Sequence, residues 1–273
     1  LNKIRAARAA AGEDPAPTFA DVDRTHIQFL RATYRPFVSV ASEYVRVGPS
    51  GDSAALTASG GTVGFTFPTY GHFTSDVVAH VRFAAVGTAT PVVSTDPAAG
   101  PSPRYRFCAY PGIRLFERVE FRSAELVVDD YTCDDVSFVD KFQIPGDRRA
   151  AWDRGLGQGE MKAAEYANTN GYSGVLNYRE GLQTLKYLHP TQDLWIPLQF
   201  WMCGCPANAL LNDLIPNSQR TIAISLAPIG NIVRAYDQNS GDLLALPFSQ
   251  LGMQIELYVN NLFVNPEIHD IFA

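Results

Sequence analysis

Two alternating apolar runs on either side of a turn-rich connector constrain the fold of this chain more than any other feature. The first run places four apolar side chains on one strand face: Leu194, Ile196, Leu198 and Phe200. The second run, at residues 220–226, repeats the alternation. Pro197 has no N–H to give to a sheet ladder, so it predicts an edge strand or a bulge. The pattern is typical of a sheet-based scaffold, and it contains no catalytic constellation.

The composition fits many short strands joined by turns. Only 18% of the 273 residues are charged, and the chain holds 21 glycines and 18 prolines. Strands do not alternate with long helices, so a parallel sheet built from βαβ units is not expected. Helical residues concentrate in two short segments, 134–142 and 147–156. The sequence predicts an all-β protein, an antiparallel sandwich of jelly-roll type with short helices in its loops.

Charge and hydropathy argue against two classes of partner. The formal net charge is -6, whereas chains that bind nucleic acid normally carry a basic face. No run approaches the roughly 18–20 apolar residues of a membrane span. No signal-peptide pattern opens the chain, which favours synthesis inside the cell. We therefore expect no direct contact with nucleic acid and no membrane span.

The cysteines and histidines form no pattern that is typical of a metal centre. Cys203 and Cys205 are the only close pair among four cysteines, and a zinc site would need two more well-spaced ligands. The other two cysteines are Cys108 and Cys133. The histidines are scattered: His26, His72, His80, His189 and His269. We expect reduced structural cysteines, structural histidines, and neither a metal nor a cofactor.

Two local clusters admit a functional and a structural interpretation. Four aspartates lie close together: Asp129, Asp130, Asp134 and Asp135. They could hold a divalent cation, but a helix cap at a solvated turn is favoured. The glycine-rich segment 155–159 is neither a phosphate-binding nor a dinucleotide fingerprint, and it does not clearly follow a strand.

The three tryptophans leave one functional alternative open. Trp152, Trp195 and Trp201 could stack on sugars, but the apolar runs around the last two favour core or subunit contacts. A pair of carboxylates for glycoside hydrolysis cannot be located by sequence, because their separation is a three-dimensional quantity. The sequence therefore predicts no catalytic, cofactor-binding or metal-binding residue.

Four segments resemble one family of viral proteins. They are residues 106–117 (RFCAYPGIRLFE), 141–147 (KFQIPGD), 194–201 (LWIPLQFW) and 257–269 (LYVNNLFVNPEIH). In these segments the chain resembles the major capsid proteins of nucleocytoplasmic large DNA viruses, with the branch of African swine fever virus and faustovirus the most similar. The last segment is long and specific, so we do not attribute it to chance.

The resemblance implies a structural, non-enzymatic protein of the virion. It implies a homotrimer that forms a pseudo-hexagonal capsomer and builds an icosahedral shell with neighbouring capsomers and minor capsid proteins. The implied location is the capsid shell, assembled in the host cytoplasm, close to an inner viral membrane without spanning it. The alternatives are a carbohydrate-binding jelly-roll module, a minor or penton capsid paralogue, and a glycosidase built on a β-sandwich.

The resemblance also implies a division of the chain into two jelly rolls. Residues 1–24 would be an N-terminal arm, 25–235 the first jelly roll and 236–252 a linker. Residues 253–273 would hold only the first strand and helix of a second jelly roll, so we expect the polypeptide to continue. The segment 160–192 shows little periodicity and is expected to be a surface excursion, shorter than that of the swine-fever branch.

Overall fold

The structure is a computed structural model, and it describes seven stretches of the chain. They are residues 40–51, 55–66, 70–88, 103–167, 173–215, 220–237 and 241–264. The predicted N-terminal arm and the helix predicted after Val264 lie outside these residues.

The described residues form short strands and a few short helices. The strands are β1 (Val40–Val47), β2 (Ala55–Thr57), β3 (Gly61–Thr66), β4 (Phe73–Phe83), β5 (Val86–Gly87), β6 (Arg104–Phe107), β7 (Phe116–Ser123), β8 (Leu126–Thr132), β9 (Met161–Ala167), β10 (Ser173–Arg179), β11 (Leu188–His189), β12 (Gln192–Pro197), β13 (Leu210–Leu211), β14 (Arg220–Leu226), β15 (Val233–Tyr236), β16 (Leu243–Leu244) and β17 (Gln250–Val264). The helices are α1 (Pro111–Leu115), α2 (Cys133–Phe142), α3 (Gly146–Gly155) and α4 (Ile229–Ile232).

Two antiparallel sheets form the body of the protein. The larger one has the order β1-β17-β4-β12, with β13 paired to β4 and β2 paired to β17. The second has the order β3-β14-β7-β8. Smaller sheets of two or three strands are formed by β16, β15 and β6, by β11 and β5, and by β9 and β10. The strand pairs that build these two sheets are antiparallel, so the predicted all-β antiparallel sandwich is confirmed.

The core lies between the inner faces of these two sheets, and strict alternation builds it. Strand β4 buries every second residue from Val77 to Phe83, and β14 does the same from Ile222 to Leu226. Four residues predicted to share a buried face are all buried: Leu194, Ile196, Leu198 and Phe200. The burial of each such side chain contributes roughly 1.5–3 kcal/mol to the stability of the fold. Pro197 ends β12 at the edge of its sheet, as its missing N–H requires.

Strand β17 is the strand that the resemblance assigns to a second jelly roll. In the structure it pairs with β4 from Met253 opposite Phe83 to Leu262 opposite Phe73, with a register shift after Val259. Its alternate apolar residues enter the same core as those of β4. Within the described residues this strand therefore belongs to the same sheet as β4. The division of the chain into two jelly rolls stays a prediction.

The segment that showed little periodicity contains a regular hairpin. Strands β9 and β10 pair antiparallel, from Met161 opposite Arg179 to Ala167 opposite Ser173. Residues 161–165 are all exposed to solvent. Alternation of apolar and polar residues arises only where one face of a strand is buried, so a ladder exposed in this way leaves no such signal.

Candidate functional site

Helix α2 begins where two residues satisfy its free N-terminal groups. The Asp135 carboxylate accepts hydrogen bonds from the backbone N–H and the hydroxyl of Thr132, both at 2.8 Å. The hydrogen bond from the Thr132 backbone is the main cause that lowers the pKa of Asp135. The backbone N–H of Asp135 faces the Thr132 side chain in return, which completes a capping box with Thr132 as the N-cap residue. An aspartate therefore takes part in the cap, as predicted, but the helix begins at Cys133 and not after Asp135.

The other members of the aspartate cluster have different partners. Asp130 forms an ion pair with Arg118 at 2.8 Å, and Asp129 accepts the backbone N–H of Trp201 at 3.0 Å. In the part of the chain that the structure describes, no group of three or more His, Cys, Asp or Glu side chains is placed to hold a metal ion. The alternative of a divalent cation at this turn gains no support.

A buried aspartate joins α2 to α3. Asp140 accepts hydrogen bonds from Arg149 at 3.0 Å and from the indole N–H of Trp152 at 2.8 Å. Arg149 also donates to the Tyr110 hydroxyl at 2.9 Å and pairs with Asp153 at 3.1 Å. The hydrogen bond to Tyr110 is the main cause that raises the pKa of Arg149. These bonds fix the ring of Trp152 on the side of α3.

Glycines let α3 approach β12 closely. A Cβ atom on Gly155 would lie 3.0 Å from the carbonyl oxygen of Trp195. At Gly157, where φ is +76°, a Cβ atom would lie 2.7 Å from Leu194 and 2.8 Å from Pro111. Close packing therefore explains these two glycines of the segment 155–159. The segment follows a helix and not a strand, which is unlike a phosphate-binding loop.

An open groove of about 560 Å³ lies between the α2–α3 pair and β12. We call it the Trp152–Trp195 groove, after the two indole rings that line it. Three polar side chains lie among its otherwise apolar lining: Gln143, Arg148 and Gln199. This volume is within the range of ligand pockets, which are typically about 300–1,000 Å³ with a few polar groups in an apolar wall.

A cross-strand ladder of aromatic rings holds Trp195 on the outer face of the larger sheet. The Trp195 ring stacks on His80, with ring centres 4.2 Å apart, and Tyr258 lies 5.4 Å from Trp195. Asp193 is hydrogen-bonded to His80 at 2.9 Å and to Arg82 at 2.8 Å. The hydrogen bond from Arg82 is the main cause that lowers the pKa of Asp193. Trp195 nevertheless keeps 45% of its surface exposed, so it is not the core residue that an apolar run suggests.

Two further apolar surfaces are exposed. Phe138 and Phe142 lie one turn apart on α2, stacked with ring centres 6.4 Å apart, and are 61% and 80% exposed. The only sequence signal for this pair is its spacing of four residues, which places both rings on one face of a helix. Strand β8, at an edge of the second sheet, exposes residues 126–128, two valines and a leucine. Exposed apolar patches of this kind mark contact surfaces.

The cysteines and histidines of the described residues have structural surroundings. All four cysteines are free, and burial raises the pKa of Cys108 and of Cys203 to about 11, which keeps these thiols protonated. His189 is buried and hydrogen-bonded to the Tyr105 carbonyl at 2.9 Å. Burial lowers the pKa of His189. His26 and His269 lie outside the described residues.

Comparison with known proteins connects this fold to a family of viral proteins. No family model matches the chain. Hexon protein p72 of African swine fever virus is 25% identical over 388 residues, which covers 95% of this chain and 60% of that protein. The major capsid protein of another isolate of that virus is 24% identical over the same shares. The chain is a homologue of large-DNA-virus major capsid proteins. The resemblance in its sequence is thereby confirmed.

The structures of capsid proteins agree with this homology at the level of the fold. The faustovirus major capsid protein superposes with a TM-score of 0.69 at 24% identity, covering 100% of this chain and 62% of that one. The PBCV-1 virus capsid gives a TM-score of 0.57 at 16% identity, covering 90% and 47%. The jelly-roll architecture implied by the resemblance is therefore supported.

The match covers only part of each relative, whereas it covers nearly all of this chain. The chain spans about 60% of the length of the curated relatives it matches. The 388 residues of the match exceed the 273 residues of this chain, so the relatives carry additional residues inside the matched span. Among the residues that the structure describes, no helix is both long enough and apolar enough to cross a bilayer.

Proposed function

We propose that this chain is part of a structural, non-enzymatic subunit of a viral capsid. The observation that carries the proposal is the relation to major capsid proteins across 95% of the chain, together with the fold shared with the faustovirus protein. The chain spans about 60% of the relatives' length, so the role of those whole proteins is assigned to this chain only as part of the proposal.

In finer detail, we propose self-association into a homotrimer that forms a pseudo-hexagonal capsomer. Its partners are neighbouring capsomers and minor capsid proteins in the icosahedral shell, which is assembled in the host cytoplasm. The exposed rings of Phe138 and Phe142 and the apolar residues at the edge of β8 support this proposal, because subunit interfaces are enriched in aromatic side chains and depleted of charge at their centres. The net charge of -6 is compatible with a shell that does not contact packaged DNA directly.

Light scattering and sedimentation velocity across a wide range of protein concentrations test the proposal. We expect a trimer at high concentration, and a weaker self-association after the double substitution Phe138→Ser and Phe142→Ser. Met161→Ser is the matched control, because Met161 is also exposed but lies on the β9–β10 hairpin. A chain that stays monomeric at every concentration would contradict the proposed trimer.

A further inference from the structure

We propose that the Trp152–Trp195 groove binds an acidic sugar, a pyranose that carries a carboxylate group. This binding would be a second activity beside the capsid role, and it does not depend on that role. Three features of the groove carry the proposal: two fixed indole rings, two amide side chains, and one arginine whose side chain has no partner among the described residues.

The indole rings supply a rigid apolar platform. Trp195 is held from one side by His80, and Trp152 is held through its N–H by Asp140. The C–H groups on one face of a pyranose ring form an apolar surface that packs against an aromatic ring. Because both indoles are already fixed, binding costs little side-chain entropy.

The amide side chains supply the hydrogen bonds that hydroxyl groups require. Gln143 and Gln199 both line the groove. The Gln199 amide is oriented by a hydrogen bond from its Nε2 to the Pro197 carbonyl at 3.1 Å. An amide group offers both donors and an acceptor, as a sugar hydroxyl needs. An apolar peptide side chain would make no use of these groups.

The arginine gives the groove its preference for an anion. Arg148 is the only charged side chain of the lining, and within the described ranges it has neither an ion pair nor a side-chain hydrogen bond. Its neighbour Arg149, by contrast, is paired with Asp140 and Asp153. A guanidinium group matches a carboxylate in a two-point hydrogen bond. The charge therefore complements a sugar acid better than a neutral sugar.

The test titrates the 273-residue chain with two probes that differ only at C6: methyl β-glucuronide, which has a carboxylate, and methyl β-glucoside, which has a hydroxymethyl group. Tryptophan fluorescence and saturation-transfer NMR report binding. We expect the glucuronide to bind about tenfold more tightly at low salt. We expect Trp195→Ala to weaken glucuronide binding by about tenfold and Arg148→Gln to abolish the difference between the two sugars.

Matched controls separate the groove from the rest of the surface. Trp201 is 39% exposed and Arg154 lies on the same helix as Arg148, but neither lines the groove. Trp201→Ala and Arg154→Gln should therefore leave both affinities unchanged. The unfolding temperature of each variant is measured as well, and a value equal to that of the wild type shows that the substitution has not disturbed folding.

Three results would overturn the proposal. The first is the absence of saturation transfer to either sugar, and the second is glucuronide binding that survives Trp195→Ala. The third is that the groove binds protein instead of sugar. This would be shown if neither sugar bound and Trp195→Ala abolished the self-association of the chain. It would also be shown if a peptide with the proline-rich sequence of residues 91–103 bound in the groove and the sugars did not.

Discussion

The buried Asp140 carboxylate gives the sharpest test of how the α2–α3 pair is held together. Asp140→Ala removes the acceptor of one hydrogen bond from Arg149 and one from the Trp152 indole. A buried N–H without an acceptor costs about 1–3 kcal/mol, and a hydrogen bond to a charged group contributes about 1.5–3 kcal/mol. Arg149 keeps Asp153 and the Tyr110 hydroxyl as partners, so its charge is not left alone. We expect the free energy of unfolding to fall by about 3 kcal/mol.

Urea denaturation, followed by tryptophan fluorescence and circular dichroism, measures this loss. With a typical dependence of about 2–3 kcal/mol per molar urea for a chain of this size, the midpoint should fall by about 1 M at an unchanged slope. Asp153→Ala is the control. It removes a partly exposed i,i+4 ion pair from the same arginine, and such pairs contribute only about 0.5 kcal/mol. If both variants lost the same stability, the buried network would not be what joins the two helices.

Three further predictions concern backbone conformation, pH and surface. Gly157→Ala should lower the free energy of unfolding by at least about 2 kcal/mol, because φ is positive and a Cβ atom would collide with its neighbours. Gly146→Ala is the control: a Cβ atom there meets nothing within 4 Å, so the free energy of unfolding should change by less than about 1 kcal/mol. Burial holds the pKa of His189 below its ordinary 6.5, so as the pH falls the unfolded chain binds a proton at this residue before the folded chain does. The contribution of His189 is therefore complete above pH 6.5 and is lost as the pH falls below it, and His189→Gln should flatten unfolding temperatures measured between pH 7 and 5. Phe142→Ser, at an exposed position, should change the free energy of unfolding by less than about 0.5 kcal/mol when it is measured by urea denaturation at a concentration where the chain is monomeric.

Strands with one buried face were predictable from the sequence. β12, β14 and β17 each carry large aliphatic residues at alternate positions, and each has that face in the core. The pairing of β17 with β4 was not predictable, because periodicity identifies the face of a strand but not its neighbour. The resemblance assigns β17 to a second jelly roll, which stays a prediction, and the register shows only that β17 pairs with β4.

A buried arginine shows a second limit of sequence patterns. Arg220 begins β14 on its inner face and is fully buried. It donates to the side-chain amide oxygen Oδ1 of Asn212 at 2.8 Å, and the same oxygen accepts from the Thr74 hydroxyl at 2.7 Å. A charged residue at the end of an apolar run normally indicates an exposed strand end. Only the three-dimensional approach of a turn and another strand supplies the partners that allow its burial.

The position of Trp195 follows from alternation, although an apolar run invites the opposite interpretation. Leu194 and Ile196 point into the core, so the residue between them must point outward, opposite His80 on the neighbouring strand. The outer face of an antiparallel sheet is commonly open to solvent. Here α3 approaches the backbone of Trp195 through Gly155, and the helix therefore covers the strand while the ring stays exposed beside it. The groove is the direct consequence of this arrangement. A larger residue at position 155 would move the helix outward and change the spacing between the two indoles. Gly155→Ala should therefore weaken sugar binding, even though neither glycine nor alanine offers a polar side-chain contact to the sugar.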